Sequence, residues 1–244
     1  LHSGVYGGGV TNPANALAEI VASLRDCATG EIRVEGFLDD VRPLADWERL
    51  GATDALVVDV RQPAEFAAGA IPGAINLPYP AWDKFVDRLP KDKTRFTIFF
   101  CQGVTCMMSP NSLLKAEALG YTNVKVYREG YPEWLERNIG VIAAPHLKDA
   151  WIDKSIPHVL VDARPASTAA GGAIPGAVSV PPSMVRAAVA GFPNPKLKAP
   201  IIVYDGTGKD EAVKAAMTIV RAGYENVVVV TGGLAAWQGA GYKL

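Results

Sequence analysis

Two cysteines, Cys101 and Cys106, lie five residues apart, and Cys101 ends an apolar run that begins at Phe96. A free thiol has a pKa of about 8.5 and is mostly protonated at neutral pH, whereas the thiolate is the reactive nucleophile. A strand end followed by a loop and a helix favours the thiolate, because loop N–H groups and the helix dipole stabilise an anion there. The pattern is compatible with nucleophilic sulfur chemistry or thiol–disulfide exchange.

Either cysteine can be the nucleophile, with the other as its auxiliary. Cys101 has the strand-end position, whereas Cys106 lies nearer the next helix, which the sequence predicts to begin at Ser109 or Asn111. Their separation also allows the Cα approach of roughly 4.4–6.8 Å that a disulfide requires. Taken alone, a strand-end cysteine is more often a small buried hydrophobe, and this is the interpretation we favour for the distant Cys27.

The loop between the predicted strand and helix carries no charged residue. Gly103 permits a tight turn. The two methionines could line a sulfur site, although methionine more often serves as packing. The loop residues are Gln102, Gly103, Val104, Thr105, Cys106, Met107 and Met108.

The chain contains the same pattern twice. Residues 56–78 and 159–181 align without a gap at an offset of 103 residues. A repeat of this length indicates a duplicated domain. At the strand end that matches Cys101, the second copy has Asp205, so only the first copy keeps the thiol.

Short apolar strands alternate with helical segments in each copy. This alternation predicts an α/β fold in which each domain has a parallel sheet with helices on both faces. In the first copy the predicted strands are 55–60, 74–77, 96–100 and 124–127, and the predicted helices are 63–67, 79–89, 109–119 and 132–137. The second copy repeats this order over 159–239, and residues 140–150 are the predicted linker.

The predicted organisation has three parts. These are an N-terminal tether and helix over 1–37, a domain with the reactive cysteine over 38–139, and a domain without it over 145–244. Residues 13–26 place apolar groups at helical spacing and have no counterpart in the second copy. We expect this helix to pack on the first domain or to bind a protein partner.

The overall composition excludes several classes of function. The chain has 24 basic and 25 acidic residues without a run of like charges, which argues against a nucleic-acid partner. No apolar run approaches the length of about 20 residues that a transmembrane helix needs. The glycines that follow Leu1 are typical of a flexible tether, and a precursor with a cleaved leader would produce such a start. We therefore expect a periplasmic or envelope location slightly more than a cytoplasmic one. No metal or cofactor is expected.

The motif at 59–78, Asp-Val-Arg-x-x-x-Glu-Phe-x-x-Gly-x-Ile-Pro-Gly-Ala-x-Asn-Leu-Pro, resembles the signature that opens rhodanese (sulfurtransferase) domains. The strand ending in Cys101 resembles the family's active site, and the Gly-Tyr-x-Asn-Val and Gly-x-x-x-Trp blocks at 120–134 resemble its closing segment. The second copy matches in the same blocks, so the resemblance covers about 40–138 and 145–240. The family usually has histidine where this chain has Ala70 and Ala173.

This resemblance implies two tandem rhodanese-like domains and a sulfurtransferase. Such an enzyme moves a sulfane sulfur from a small donor to a thiol or other thiophilic acceptor through a cysteine persulfide, here on Cys101 or Cys106. Substrate would contact the loop residues named above. Asp59 and Arg61 are expected to form a scaffold ion pair.

The loop departs from the family pattern because it lacks the usual arginine or lysine. Arg128, just after the fourth strand, is the nearest expected cation, with a surface salt bridge as its alternative role. We therefore expect a polysulfide, a low-molecular-weight persulfide or another chalcogen species as donor rather than thiosulfate. Phosphatases built on this fold need an arginine where this chain has Met107, which argues against phosphate ester hydrolysis.

The carboxylate of Asp205 would repel anionic sulfur donors, so the second domain is expected to be non-catalytic. We expect it to close over the first domain and to shape its cleft. Two other functions are compatible with the sequence. One is a non-catalytic binding module that docks through residues 13–26, and the other is a thiol–disulfide redox protein that uses Cys101 and Cys106.

Overall fold

The structure of the protein is a computed structural model that describes residues 54–244. The glycine-rich start, the predicted helix over 13–26, Cys27 and the predicted boundary at residue 38 lie outside the described residues. In the described part of the chain, no helix combines the length and the apolarity needed to cross a membrane.

The first lobe is built on a four-stranded parallel sheet. The strands lie in the order β2-β1-β3-β4, with Asp59 beside Phe100 and Phe100 beside Tyr127. Each strand is a short apolar run, and each lies within a residue or two of its predicted bounds. The strands are β1 (Leu56–Asp59), β2 (Ile75–Asn76), β3 (Thr97–Phe100) and β4 (Val124–Tyr127).

Within residues 54–139, four helices accompany this sheet, and one of them is shorter than predicted. The segment 79–89 is not one helix but a 3₁₀ turn, four α-helical residues and a second 3₁₀ turn. The backbone φ is −118° at Ala81 and −123° at Phe85, far from the helical value of about −63°, so the helix is interrupted at both residues. The helices are α1 (Pro63–Ala68), α2 (Trp82–Phe85), α3 (Met108–Ala118) and α4 (Gly130–Arg137).

The second lobe has a five-stranded parallel sheet, and its first strand corrects the sequence prediction. Residues 140–150 were expected to be a linker, but Gly140–Ala143 forms strand β5 at the edge of the second sheet. The apolar Val141 and Ile142 make this possible. Ile142 is buried in the core, and the backbone of 140–143 pairs with residues 228–231, the last strand along the chain. Val141 also forms an antiparallel bridge with Ala70 and so connects the two lobes.

The remaining elements of the second lobe repeat those of the first. The strand order is β5-β9-β8-β6-β7. The strands are β6 (Val159–Asp162), β7 (Val178–Ser179), β8 (Ile201–Tyr204) and β9 (Val227–Thr231). The helices are α5 (Ala144–His146), which runs into a π-helical turn (Leu147–Ile152), then α6 (Ala166–Ala169), α7 (Val185–Ala188), α8 (Asp210–Arg221) and α9 (Gly233–Gly239).

Successive strand residues point to opposite faces, and helices cover both faces of the sheet. In the second lobe Val203 packs toward α8, whereas its neighbour Tyr204 packs toward α9 and Trp237. In the first lobe Phe99 and Cys101 lie in the same core cluster as Ala116 of α3. The predicted α/β fold class is confirmed. The alternation of side-chain direction along each strand also decides toward which face of the sheet the residue at the strand end points.

Candidate active site

Cys101 directly follows β3, which lies between β1 and β4 at the centre of the first sheet. Its side chain is only 1% exposed and belongs to the apolar cluster between the sheet and α3. The thiol position predicted from the sequence is therefore at the carboxyl end of a central strand, at the base of the loop that precedes α3.

Cys101 and Cys106 are joined by a disulfide bond. Their Cα atoms are 6.4 Å apart, within the range for a disulfide, so the predicted approach of the two cysteines is confirmed. The N–H of Cys106 donates to the carbonyl of Gly103 at 2.9 Å, which closes a tight turn between them. Cys106 is half-buried whereas Cys101 is buried, so Cys106 is the more exposed residue of the pair.

Arg128 holds the loop in this shape. Its Nη1 donates to the carbonyl oxygen of Cys106 at 3.1 Å, and its Nη2 donates to the carbonyl oxygen of Val104. Arg128 thus lies at the expected edge of the sheet, and its guanidinium group clamps two loop carbonyls. The sequence indicated a cation near the loop but not that the loop backbone itself would be its partner.

A second arginine connects the scaffold to the loop. Arg61 forms a buried ion pair with Asp59, with Nη2 at 2.6 Å from Oδ2, so the expected scaffold pair is confirmed. The same Nη2 donates to the carbonyl of Gly69 at 2.6 Å, and Nη1 donates to Oε1 of Gln102 at 3.2 Å. In this way the first residue of the loop is fixed to the end of β1.

Gly130 is a site residue that sequence reasoning missed. It has φ +71°, and a Cβ at this position would lie 2.8 Å from the amide nitrogen of Gly103 and even closer to the carbonyl oxygen of Cys101. The next residue, Tyr131, donates its N–H to that carbonyl at 3.0 Å. The available signal was that the Gly-x-x-x-Trp block begins with glycine in both copies, at Gly130 and Gly233.

The other predicted loop residues lie around the disulfide with different exposures. Val104 is 59% exposed and Met107 is 57% exposed, whereas Met108 begins α3 and packs against the first-lobe core. Gln102 and Thr105 are exposed, and Gly103 is half-buried. The loop therefore presents the apolar side chains of Val104 and Met107 to solvent near Cys106, the more exposed cysteine of the pair.

In the second lobe, Asp205 occupies the position that matches Cys101. Its Oδ1 accepts from the N–H of Thr207 at 2.7 Å and from that of Gly208, and its Oδ2 accepts from the N–H of Ala212 at 3.0 Å. Burial by itself raises the pKa of the Asp205 carboxyl, but the hydrogen bonds from the Ala212, Thr207 and Gly208 N–H groups outweigh burial and hold the pKa below its ordinary value. A buried anion is therefore held by the loop and by the first turn of α8.

The two lobes enclose a cleft of about 840 Å³, but it lies elsewhere than expected. The second lobe was expected to shape a cleft over Cys101. Instead the cleft lies between the 66–74 segment, strand β5 and the Gly208–Asp210 loop, and none of the described residues that line it belongs to the 101–108 loop. The reason is that the Ala70–Val141 bridge joins the lobes at the 69–73 segment rather than at the cysteine loop.

The fold and the site define an α/β protein with two related lobes and a cysteine loop at one strand end. The sequence profile of the rhodanese-like domain matches residues 45–137 and again residues 145–240. The chain therefore belongs to the family of proteins with rhodanese-like domains, and it contains two such domains in tandem.

Relatives of known name match parts of the chain. A thiosulfate:glutathione sulfurtransferase of Homo sapiens is 33% identical over 100 residues, which cover 36% of this chain and 85% of that protein. An HTH-type transcriptional regulator of Mycobacterium tuberculosis is 35% identical over 123 residues, which cover 49% of this chain. The chain spans about half the length of this regulator, with 53% of it covered.

Among solved structures, a thiosulfate sulfurtransferase from Pseudomonas aeruginosa aligns with a TM-score of 0.36 and 22% identity. The alignment covers 80% of this chain and 41% of that chain.

Proposed function

We propose that this protein is a sulfurtransferase whose first lobe takes a sulfane sulfur from a small donor and carries it as a persulfide on Cys101. The observation that carries this proposal is the environment of Asp205. At the matching strand end of the second lobe, loop N–H groups hold a negative charge. The same strand position in the first lobe carries a cysteine before a loop and α3, and N–H groups placed there in the same way would favour its thiolate, the form that attacks sulfur.

The structure also supports an order for the two cysteines that the sequence left open. Cys101 takes the position of the held anion, and its side chain points toward α3 as that of Asp205 points toward α8. Cys106 lies five residues later in the loop and is half-buried against the first-lobe core. Cys101 is accordingly the nucleophile in this proposal, and Cys106 is its auxiliary.

The choice of donor follows from the charges near the loop. Residues 102–108 contain no charged side chain, and two N–H groups of Arg128 are engaged by loop carbonyls. A doubly charged donor such as thiosulfate gains little electrostatic stabilisation there, so a singly protonated polysulfide, an organic persulfide or a singly charged thiosulfonate fits better. The name of the human relative supports a small thiol as acceptor. The loop residues that surround the cysteines would contact these substrates.

In this proposal the second lobe does not carry sulfur. It lacks a thiol at the strand end, and the carboxylate of Asp205 fills the place of the reactive group. A second anion at that position would be repelled by the carboxylate.

Mass spectrometry of variants in which one cysteine is replaced by serine tests the proposal. The reduced protein is treated with an alkyl thiosulfonate anion, and in parallel with thiosulfate, and its intact mass is measured. We expect Cys106→Ser to gain one sulfur atom and Cys101→Ser to gain none, with faster loading by the thiosulfonate. The matched control is Cys27→Ser combined with Cys106→Ser, which should load like Cys106→Ser alone. Absence of any sulfur gain in Cys106→Ser would refute the proposal.

The disulfide favours a second candidate function, dithiol–disulfide exchange without sulfur transfer. A protein of that kind would cycle between the dithiol and the disulfide with small disulfide substrates, and Cys106→Ser would gain no sulfur from either donor. The same mass measurement therefore separates the two functions.

A further inference from the structure

We propose that Cys106 resolves the Cys101 persulfide within the loop, so that the sulfur leaves as hydrogen sulfide and the Cys101–Cys106 disulfide remains. This proposal rests on the sulfurtransferase function proposed above and names its acceptor and its product. The protein would then be a sulfane-sulfur reductase, with an external dithiol as the source of electrons.

The first support is that the folded loop brings the two sulfurs into bonding contact. The strand end, the Gly103 turn and the two Arg128 hydrogen bonds are all present together with the disulfide. Cys106 therefore reaches the sulfur of Cys101 while the elements that position the loop stay in place. A thiol held in this way has an effective concentration of about 10⁵ M or more when its geometry is ideal, far above that of any free thiol in solution.

The second support is the difference in access between the two cysteines. Cys101 is 1% exposed, so little of its Sγ is left open to a dissolved thiol once the transferred sulfur is bound to it. Cys106 is its covalent neighbour and is half-buried at the loop surface. Attack on the inner sulfur of the persulfide is therefore favoured from Cys106 over attack by a dissolved thiol.

The step balances in atoms and electrons. The thiolate of Cys106 attacks Sγ of the Cys101 persulfide, a new bond forms between the two Sγ atoms, and the bond from Cys101 Sγ to the outer sulfur breaks. The outer sulfur leaves with the electron pair as HS⁻, which takes up the proton that Cys106 released. The sulfane sulfur gains two electrons, and the two cysteines lose two electrons as they form the disulfide.

The return step uses the accessible sulfur. A dithiol attacks Sγ of Cys106 and expels the thiolate of Cys101, and its second thiol then releases Cys106 as a thiol while the reductant becomes a disulfide. The thiol that leaves is the one whose anion the strand-end position favours, and a better-stabilised thiolate leaves faster. This order regenerates the nucleophile of the next cycle directly.

A single-turnover experiment tests the proposal. The fully reduced protein, freed of reductant, is mixed with one equivalent of an alkyl thiosulfonate anion, which leaves a sulfinate and introduces neither thiol nor sulfide. We expect the wild type to release one sulfide per chain, to lose both thiols of the 101–106 pair and to retain no added sulfur. Cys106→Ser should retain the sulfur and release sulfide only after dithiothreitol is added, and Cys101→Ser should do neither.

The outcomes separate this inference from the function on which it rests. Retention of the sulfur by the wild type without sulfide release, together with retention by Cys106→Ser, overturns the resolving step but leaves the sulfurtransferase. Sulfide release by Cys106→Ser without added thiol also overturns it. Failure of Cys106→Ser to take up sulfur refutes the sulfurtransferase itself.

Discussion

Cys101 and Asp205 occupy equivalent positions in the two sheets. Cys101 follows Phe100, which pairs with Asp59, and Asp205 follows Tyr204, which pairs with Asp162. Both side chains point toward the helix that follows their loop. One lobe therefore has a cysteine where the other has a carboxylate that its own backbone N–H groups hold.

Replacement of Asp205 by asparagine should destabilise the protein in a pH-dependent way. The carboxylate accepts buried hydrogen bonds, so we expect a loss of about 2 kcal/mol in the free energy of unfolding at pH 7. Because the folded pKa lies below the ordinary 3.8, this stability is present above pH 3.8 and is lost as the pH falls through the folded pKa. Urea unfolding of the wild type and Asp205→Asn between pH 7 and pH 2.5 measures the difference in their free energies of unfolding. This difference should become smaller toward pH 2.5.

The matched control for Asp205 is Glu211→Gln, which removes an exposed carboxylate from the first turn of the same helix. This change should cost less than about 1 kcal/mol. Sulfur loading should remain at one atom per chain in Asp205→Asn with Cys106 also replaced by serine. Loading of the second lobe would contradict the proposed division between the lobes.

Replacement of the two scaffold arginines by lysine should have equal effects on stability but different effects on the rate of sulfur loading. Arg61 and Arg164 make the same ion pair and the same contact to a glycine carbonyl, so each Arg→Lys change should lower the free energy of unfolding by about 2 kcal/mol. Only Arg61 also holds Gln102 of the loop. With Cys106 also replaced by serine, Arg61→Lys should therefore slow sulfur loading by about tenfold, the equivalent of about 1.4 kcal/mol, whereas Arg164→Lys should leave the rate unchanged. Equal rates in both variants would argue against a positioning role for Arg61.

Alanine at the two matched glycines gives a second comparison between the lobes. Gly130 and Gly233 have φ +71° and φ +53°, and a Cβ at either position would meet the backbone of the neighbouring loop. Each substitution should cost at least about 2 kcal/mol, measured by urea unfolding. Gly130→Ala should also abolish persulfide formation on Cys101 in the fraction that remains folded. Normal loading of folded Gly130→Ala would show that the loop tolerates displacement.

Loss of the Arg128 clamp should affect the resolving step more than the fold. Arg128→Met keeps the side-chain stem but removes two hydrogen bonds to the loop, so Cys106 is positioned less well. We expect sulfide release in the single-turnover experiment to slow by about tenfold, while the free energy of unfolding falls by roughly 1 kcal/mol. Arg137→Met, in the exposed last turn of α4, is the control and should behave like the wild type. An unchanged rate of sulfide release in Arg128→Met would show that Arg128 does not position Cys106 for the resolving step.

Local composition was enough to predict most strands. The segments 56–59 and 97–100 are short apolar runs that are buried on both sides of a parallel sheet, and such runs are distinctive without knowledge of their partners. The segment 140–143 was misread because its glycine and the following proline resemble a linker. Its strand character depends on pairing with β9, which lies more than eighty residues away in the sequence. The local sequence around 140–143 does not indicate that β9 is its pairing partner.

The sequence by itself determined that the fold occurs twice and that only the first copy has a thiol at the strand end. It also placed Cys106 within reach of Cys101, because separation along the chain limits how far apart two residues can lie. Only the tertiary structure decided that Arg128 binds the loop carbonyls, that Asp205 is held by its own loop, and that the cleft between the lobes opens away from Cys101. These relationships depend on which groups distant segments bring together and on the direction in which each side chain points. Packing of the whole chain sets both.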